Sequence, residues 1–234
     1  MTAIDVVVMA AGKGTRMKSS MPKVLHPLAG RALVDHVART AATLGARHRV
    51  FVTGHGAAQV EEHLRQANPG QAMHVVRQEP QLGTGHAVMQ AMPLLPDDGL
   101  AVVLSGDVPL ITAATLSRLV QACQGESLAL LTVCPADPTG YGRVVRNGSG
   151  QVQAIVEQKD ANETQRAIGE VYSGIMAAPT RLLRAWLSRL DNRNAQAEYY
   201  LTDVVAKAVA DGVPVQAILC DDLAQVAEIG RAHV

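Results

Sequence analysis

The residues best suited to chemistry lie close together near the N-terminus, in Met9-Ala10-Ala11-Gly12-Lys13-Gly14-Thr15-Arg16 and in Pro22-Lys23 shortly downstream. Ala10, Ala11, Gly12 and Gly14 are small enough for main-chain N–H groups to close around an anion with no side chain in the way. Arg16 and Lys23 follow within reach of the same spot. An arginine grips phosphate with two parallel donors, and a lysine acts as a point charge. Together these features suit a triphosphate whose chain is both held and cleaved. The spacing excludes two look-alikes. A P-loop requires Gly-x-x-x-x-Gly-Lys-Ser/Thr, but Lys13 is followed by Gly14. The dinucleotide fingerprint Gly-x-Gly-x-x-Gly fails at Met17.

Two further clusters add to this loop. In Gln78-Glu79-Pro80-Gln81-Leu82-Gly83-Thr84-Gly85-His86-Ala87, the glycines again bring backbone close to a ligand before a helix begins. The Gln78 and Gln81 amides offer donor and acceptor together, as reading a nucleobase edge requires. In Ser105-Gly106-Asp107-Val108-Pro109, a carboxylate at a strand's carboxyl end is backed by a small residue and stiffened by proline. That placement suits Mg²⁺, which keeps several waters and takes one or two carboxylates plus substrate phosphates.

Positioning these groups requires strands that end together. Apolar runs at 5–9, 49–53, 72–77, 101–105 and 128–134 alternate with helical patterns at 33–44, 57–66, 85–92 and 113–122. This order predicts a mostly parallel, doubly wound sheet, with ligands outside the carboxyl ends of its strands. The second half changes character. Strands at 128–133, 142–146, 152–157 and 173–178 and helices at 180–190 and 203–210 predict a mixed sub-region packed against the same sheet. With 234 residues, 48% of them hydrophobic, the chain can bury a sizeable core. Aromatics are only 3%, so that core is built from Val, Leu, Ile, Ala and Met, which favours α/β layers.

The 21 basic and 21 acidic residues cancel, so no global field argues for nucleic acid or an anionic membrane. Three scattered cysteines match no disulfide or metal motif and point to a reducing, cytoplasmic setting. The first residues lack a basic signal-peptide region, and no apolar run approaches bilayer length.

The first loop resembles the signature of the sugar-phosphate nucleotidyltransferases. The succession MAAGKGTRMKSSMPKVLH, QLGTGHA, GDVPL, DPTGYGR, IVEQKDA and NAQAEYYLTD covers nearly the whole chain. It is similar to the N-terminal uridylyltransferase (pyrophosphorylase) domain of the bifunctional N-acetylglucosamine-1-phosphate uridylyltransferase/glucosamine-1-phosphate acetyltransferases. The resemblance implies an α/β, Rossmann-like nucleotide-diphospho-sugar transferase fold, a mostly parallel mixed sheet flanked by helices. It implies one domain over 1–234, with a nucleotide-binding part at 1–125, a sugar-binding part at 126–227 and an atypical tail at 228–234. No β-helix acetyltransferase domain is expected.

The implied reaction is Mg²⁺-dependent and serves cell-envelope precursors. It makes UDP-N-acetylglucosamine and pyrophosphate from UTP and N-acetylglucosamine 1-phosphate, with no nucleic acid or membrane partner and a monomeric chain. By position, Met9, Ala10, Ala11 and Gly12 would lie along the nucleotide, with Arg16 and Lys23 as the catalytic cations on the phosphates. Gln78, Gly83 and Thr84 would recognise uracil. Ser105 and Gly106 would line the ribose side, and Asp107 would bind Mg²⁺. Gly142 and Glu157 would hold the N-acetylhexosamine. Two positions depart from the pattern: Tyr172 stands where the family commonly has a sugar-contacting Asn, and Gly230 where it has a metal-binding Asn. Two rivals stay open: a related transferase, such as a glucose-1-phosphate thymidylyltransferase, and a nucleotide-sugar binding module with impaired turnover.

Overall fold

The computed structural model describes residues 2–12, 14, 17, 19–68, 72–123 and 126–229. Strand β1 (Ile4–Ala10) is apolar at every position but Asp5, a composition stable only where both faces of a strand are covered. Its alternation decides what covers it. Val6 and Val8 join one core cluster and Val7 the other, as successive side chains on a strand must.

The chain continues through a short hairpin, β2 (Pro27–Leu28) and β3 (Arg31–Ala32), into α1 (Leu33–Ala42). There follow β4 (His48–Thr53), α2 (Ala57–Ala67), β5 (His74–Arg77), α3 (Thr84–Ala91), β6 (Leu100–Ser105) and α4 (Ala113–Cys123). The second half contributes β7 (Leu128–Val133), β8 (Arg143–Arg146), β9 (Val152–Val156), α5 (Glu163–Arg166) and β10 (Val171–Pro179). Then come α6 (Thr180–Leu187), α7 (Asp203–Ala210) and β11 (Val215–Leu219).

The main sheet runs β11-β7-β10-β6-β1-β4-β5, with β8 paired to β10 and β9 paired to β8. Strands β6, β1, β4 and β5 are parallel, as are β7 and β11, while β10 runs antiparallel between β6 and β7. Val34, Val37, Val60, Leu64, Leu116 and Leu119 of α1, α2 and α4 pack on one face. Val88, Leu183, Trp186 and Val204 of α3, α6 and α7 pack on the other. This is the mixed, mostly parallel sheet between helical layers that the sequence predicts.

Several elements differ from the prediction. The second half is not a sub-region set against the sheet: β7, β10 and β11 are members of it, α6 and α7 pack on one of its faces, and the β8–β9 hairpin projects from β10. The strand expected at 173–178 spans Val171–Pro179, because flanking residues also pair, Val171 with Val133 and Pro179 with Leu100. The helix expected over 180–190 ends at Leu187, and Arg189 and Leu190 continue as tight turns. Strand β11 is not expected from the sequence, because it is a half-exposed edge strand whose apolar residues are interrupted by Gln216 and only partly buried. The four-residue α5 is too short for periodicity and rests on a reciprocal cap between Asn162 and Gln165. Among the described residues no helix is long and apolar enough to cross a membrane.

Candidate functional site

The carboxyl ends of β1, β4 and β6 are stitched together. Gly106 N–H donates to the Met9 carbonyl at 2.9 Å, His55 N–H to the Ala11 carbonyl at 3.2 Å, and Gln78 N–H to the Thr53 carbonyl at 2.8 Å. Beyond that seam lies a cavity of about 390 Å³. Met9, Ala11, Gly12, Lys23, Gln78, Gly83, Thr84, Ser105 and Asp107 line it, so most of the residues singled out for a nucleotide come together. Ala10 and Gly106 do not line it. Ala10 is buried within β1, and the Gly106 Cα supports the Met9 carbonyl so closely that a Cβ there would stand 3.1 Å from that oxygen. Arg16, with Lys13, Thr15 and Lys18, lies outside the described residues, as does Gly230.

Each wall has a local cause. A Cβ added at Gly12 would meet nothing within 4 Å, so its main chain is open to whatever enters. Gly83 has φ +105°, and a Cβ there would stand 2.7 Å from the Tyr199 carbonyl; only glycine fits. Directly after it α3 begins, so its positive dipole end lies at the cavity, with the Gly85 N–H spent on the Tyr199 carbonyl and the Ala87 N–H on the Gly83 carbonyl. Gln78 is buried, and its Nε2 donates to the Gly83 carbonyl at 2.8 Å. That contact commits the amide nitrogen and leaves the amide oxygen as the acceptor Gln78 can offer a ligand. Gln81 lines the cavity as well; its Nε2 donates to the Ala11 carbonyl and pins the loop, and its amide oxygen has no such task. Behind them the His86 ring is held below its ordinary pKa by burial.

Lys23 Nζ donates to Asp107 Oδ2 in an ion pair whose side chains are 10% and 20% exposed. Both groups therefore reach one point of the cavity wall. Ile229 N–H donates to the Asp107 carbonyl at 3.1 Å, which brings Glu228 to the rim. Among the described residues no group of three His, Cys, Asp or Glu could cage a metal unaided. A hard cation completed by a polyphosphate needs only one or two carboxylates, so the Asp107 donor set fits Mg²⁺ bound together with its substrate.

A second cavity of about 160 Å³ opens beside the first and shares Met9, Thr84, Ser105 and Glu228 with it. Gly142 and Glu157 line it, as do Tyr172, Gly174 and Thr202. A Cβ on Gly142 would come within 2.6 Å of Ile155 Cγ2, so that bend requires glycine. Thr202 Oγ1 donates to Glu157 Oε1 at 3.0 Å and orients the carboxylate. Burial, with the Glu157 charge nearby, pushes the Tyr172 phenol far above its ordinary pKa. The buried Arg143 guanidinium, its pKa lowered by burial, donates to the Tyr141 carbonyl and, at 2.6 Å, to Gln158 Oε1, which fixes the loop before Gly142.

Residues 6–197 match the model of the MobA-like NTP transferase domain. The chain belongs to that family. Within it, "Bifunctional protein GlmU" of Polaromonas naphthalenivorans is 63% identical over 232 residues, covering 97% of this chain and 49% of the relative. The protein of the same name from Albidiferax ferrireducens is 65% identical over 229 residues, with the same coverage. The chain thus spans about half the length of the curated relatives it matches, as the resemblance to one part of a bifunctional protein implied. A solved UDP-glucose pyrophosphorylase complexed with UDP-glucose superposes with a TM-score of 0.76 at 18% identity, over 94% of this chain and 91% of that one. A putative glucose-1-phosphate thymidylyltransferase from Bacillus anthracis does so with 0.75 at 17% identity, over 94% and 87%. These two establish a shared fold.

In this MobA-like domain, sequence reasoning assigned no role to Glu198, Thr202, Gly174 or Glu228. Glu198 and Thr202 sit in the NAQAEYYLTD motif, which was legible as a motif. Nothing in it shows that the Tyr199 N–H and carbonyl pair with Leu82 and Gly85 and so carry the motif to the cavity wall.

Proposed function

We propose that this chain transfers a uridylyl group from UTP to N-acetylglucosamine 1-phosphate, giving UDP-N-acetylglucosamine and pyrophosphate. The observation that carries the reading is the sharing of Met9, Thr84, Ser105 and Glu228 between the two cavities. A nucleotide in the larger and a sugar phosphate in the smaller would meet there. The high identity to bifunctional GlmU proteins supports the same choice among the family's activities. Residues 1–125 would carry most of the nucleotide contacts and 126–227 most of the sugar contacts, in a monomeric, cytoplasmic protein supplying cell-envelope precursors.

The chemistry asks little of the protein beyond placement and charge. A non-bridging oxygen of the sugar phosphate, already anionic, forms a bond to the α-phosphorus. The bond from that phosphorus to the bridging oxygen breaks, and pyrophosphate leaves with the electron pair. No general base is required. Lys23, with Arg16, would neutralise charge that develops on the transferring phosphorus. The open main chain at Gly12 and the first turn of α3 would hold phosphate oxygens and base in register. The Gln78 amide oxygen would accept the imino N–H of uracil. Bound Mg²⁺, held by Asp107 and the substrate phosphates, would supply further charge neutralisation at the phosphates.

Pyrophosphate release tests the proposal, with UTP or dTTP crossed against N-acetylglucosamine 1-phosphate or glucose 1-phosphate in Mg²⁺. UTP with the acetamido sugar is expected to exceed every other pair by at least about tenfold in kcat/KM, which is about 1.4 kcal/mol of discrimination. A preference for dTTP would make the chain a thymidylyltransferase. Binding of UDP-N-acetylglucosamine without pyrophosphate release would make it a binding module.

A further inference from the structure

The Gln78 side chain lines the larger cavity with a group whose two ends have nearly the same shape. Half a turn exchanges the oxygen and nitrogen of an amide, so the partners behind it decide which atom a ligand meets. Two partners converge on the nitrogen. Gln78 Nε2 lies 2.8 Å from the Gly83 carbonyl and 3.3 Å from His86 Nδ1. The carbonyl can only accept, and it takes one amide hydrogen. The second is left for the imidazole, which can take it only through an unprotonated Nδ1. On its other side the ring has a competing neighbour. Gln90 Nε2 lies 3.2 Å from His86 Nε2 and 3.1 Å from the His86 carbonyl. A neutral imidazole has a single acceptor nitrogen, so it can serve one glutamine and not both. Burial decides between them. Gln78 is 5% exposed and would be left with a buried, unpaired N–H, whereas Gln90 is half-buried, keeps the His86 carbonyl and is reached by solvent. The ring proton therefore sits on Nε2, and Nδ1 accepts.

From this arrangement we infer that His86 sets the base specificity of the larger cavity without touching the base: its bare Nδ1 holds the Gln78 amide nitrogen inward, so that the amide oxygen is what a nucleobase meets. His86 does not line the cavity, which makes it a positioning residue acting through Gln78. Its ring is braced for that task. The Tyr199 ring lies beside it, with centroids 6.2 Å apart and planes inclined by 34°. Burial lowers the imidazole pKa, which keeps the ring uncharged and Nδ1 bare at neutral pH. A pyrimidine carrying an N–H at ring position 3, uracil or thymine, meets its acceptor. Cytosine presents a lone pair at the same place and would set it against the amide oxygen, leaving both unpaired in a buried site, the arrangement that discriminates most strongly. Without the His86 acceptor one of the two holds on the amide is gone, and it can turn to suit either base. The inference rests on the nucleotide reading of the site.

His86→Leu removes the acceptor, and His86→Asn puts a side-chain amide oxygen near the place of Nδ1. Calorimetric titration of UTP and, separately, CTP with Mg²⁺ into the intact protein and both variants gives the ratio of the two Kd values. The unsubstituted protein is expected to favour UTP about a hundredfold, His86→Leu by about tenfold or less, and His86→Asn to return within about threefold of the original ratio. A ring that serves only the fold would weaken both nucleotides alike and leave the ratio unchanged, and that result overturns the inference. So does a ratio that His86→Asn fails to restore. The ¹⁵N spectrum of histidine-labelled, unsubstituted protein needs no leucine variant, the His86 signals being those missing from His86→Asn. It should show a neutral ring protonated at Nε2 at neutral pH. A ring protonated at Nδ1, or at both nitrogens, overturns the inference even where His86→Leu fails to fold. Each of these failures leaves the proposed reaction intact. An unsubstituted protein that binds UTP no better than CTP, or binds neither, would overturn the inference and the uridylyl reading together.

Discussion

The two ends of the central sheet handle buried polar groups in opposite ways. At the amino end of β1, the fully buried Asp5 carboxylate accepts from Arg47 at 3.2 and 2.8 Å and from His48 Nδ1 at 2.8 Å. Arg47 Nη1 also reaches Asp98 at 2.9 Å, so three strand starts are tied into one closed network. At the carboxyl end some polar groups are paired, as Lys23 is with Asp107, but others are left open. The Gly12 backbone faces open space, the Gln78 amide has committed its nitrogen while its oxygen can still accept, and the Tyr172 hydroxyl has no partner among the described residues. One end uses polar groups to hold the sheet, and the other keeps them ready for molecules that arrive later. Substitutions at the carboxyl end should therefore cost activity and spare stability, and substitutions at the amino end the reverse.

Lys23→Ala tests the contrast most severely. Removing a cation from developing phosphate charge should lower kcat/KM of the proposed reaction by about 10²–10³-fold. It also takes from the largely buried Asp107 carboxylate the ammonium it is paired with, so the thermal midpoint should fall as well, by too little to account for the loss of turnover. Steady-state kinetics beside a melting curve reads both. A variant with near-normal turnover would remove Lys23 from the mechanism, and one that fails to fold would place the ion pair with the structural networks instead.

A smaller, more selective pair of changes separates the two cavities. In Gly142→Ala the new methyl meets Ile155 Cγ2 at 2.6 Å, beside Glu157, and should raise KM for the sugar phosphate about tenfold with KM for UTP little changed. In Gly83→Ala the methyl meets the Tyr199 carbonyl at 2.7 Å on a backbone with φ +105°, and the loss should fall first on UTP. Equal losses on both substrates in both variants would mean that the shared wall moves as one body.

These cavities were unequally legible in the sequence. The larger is built from loops at strand ends, where chemistry forces glycines and cations into short continuous motifs. Ala10 to Gly12, Gln78, Gly83 and Asp107 are therefore suggested by residue type and spacing, and the resemblance adds Met9 and gives each its role. The smaller is assembled from β8, β9, β10 and the turn before α7, far apart in the chain. Gly142, Glu157 and Tyr172 drew notice only through the resemblance, and Gly174 and Thr202 look like ordinary strand and turn residues until β10 is seen inserted antiparallel beside β6, where a Cβ at Gly174 would stand 3.2 Å from Ser105 Oγ. Sheet membership itself was partly hidden, because the half-exposed β11 lacks the buried apolar run that announced β1, β4 and β6. Local pattern reports burial and turns; it does not report which strand lies next to which.

The smallest effect is expected where no ligand is involved. Burial alone pushes the Asp5 pKa up, but the hydrogen bonds and charges of Arg47 and His48 outweigh it and hold the carboxyl below its ordinary value. A folded-state pKa below the unfolded one, about 3.9, means that the unfolded chain takes up the proton more readily. The stabilisation is complete above that unfolded value and is lost as pH falls through the folded one. Asp5→Asn should therefore melt lower than the unsubstituted protein at pH 7, by about 2 kcal/mol or about 4–8 °C for a chain of this length. The gap should narrow below about pH 4 as the carboxylate is protonated, and kcat/KM at pH 7 should stay within about twofold. Melting curves from pH 7 down to 3 decide the matter. A gap that persists undiminished at the acid end would show that Asp5 contributes shape and not charge, and a loss of turnover in the variant would break the division between the two ends of the sheet.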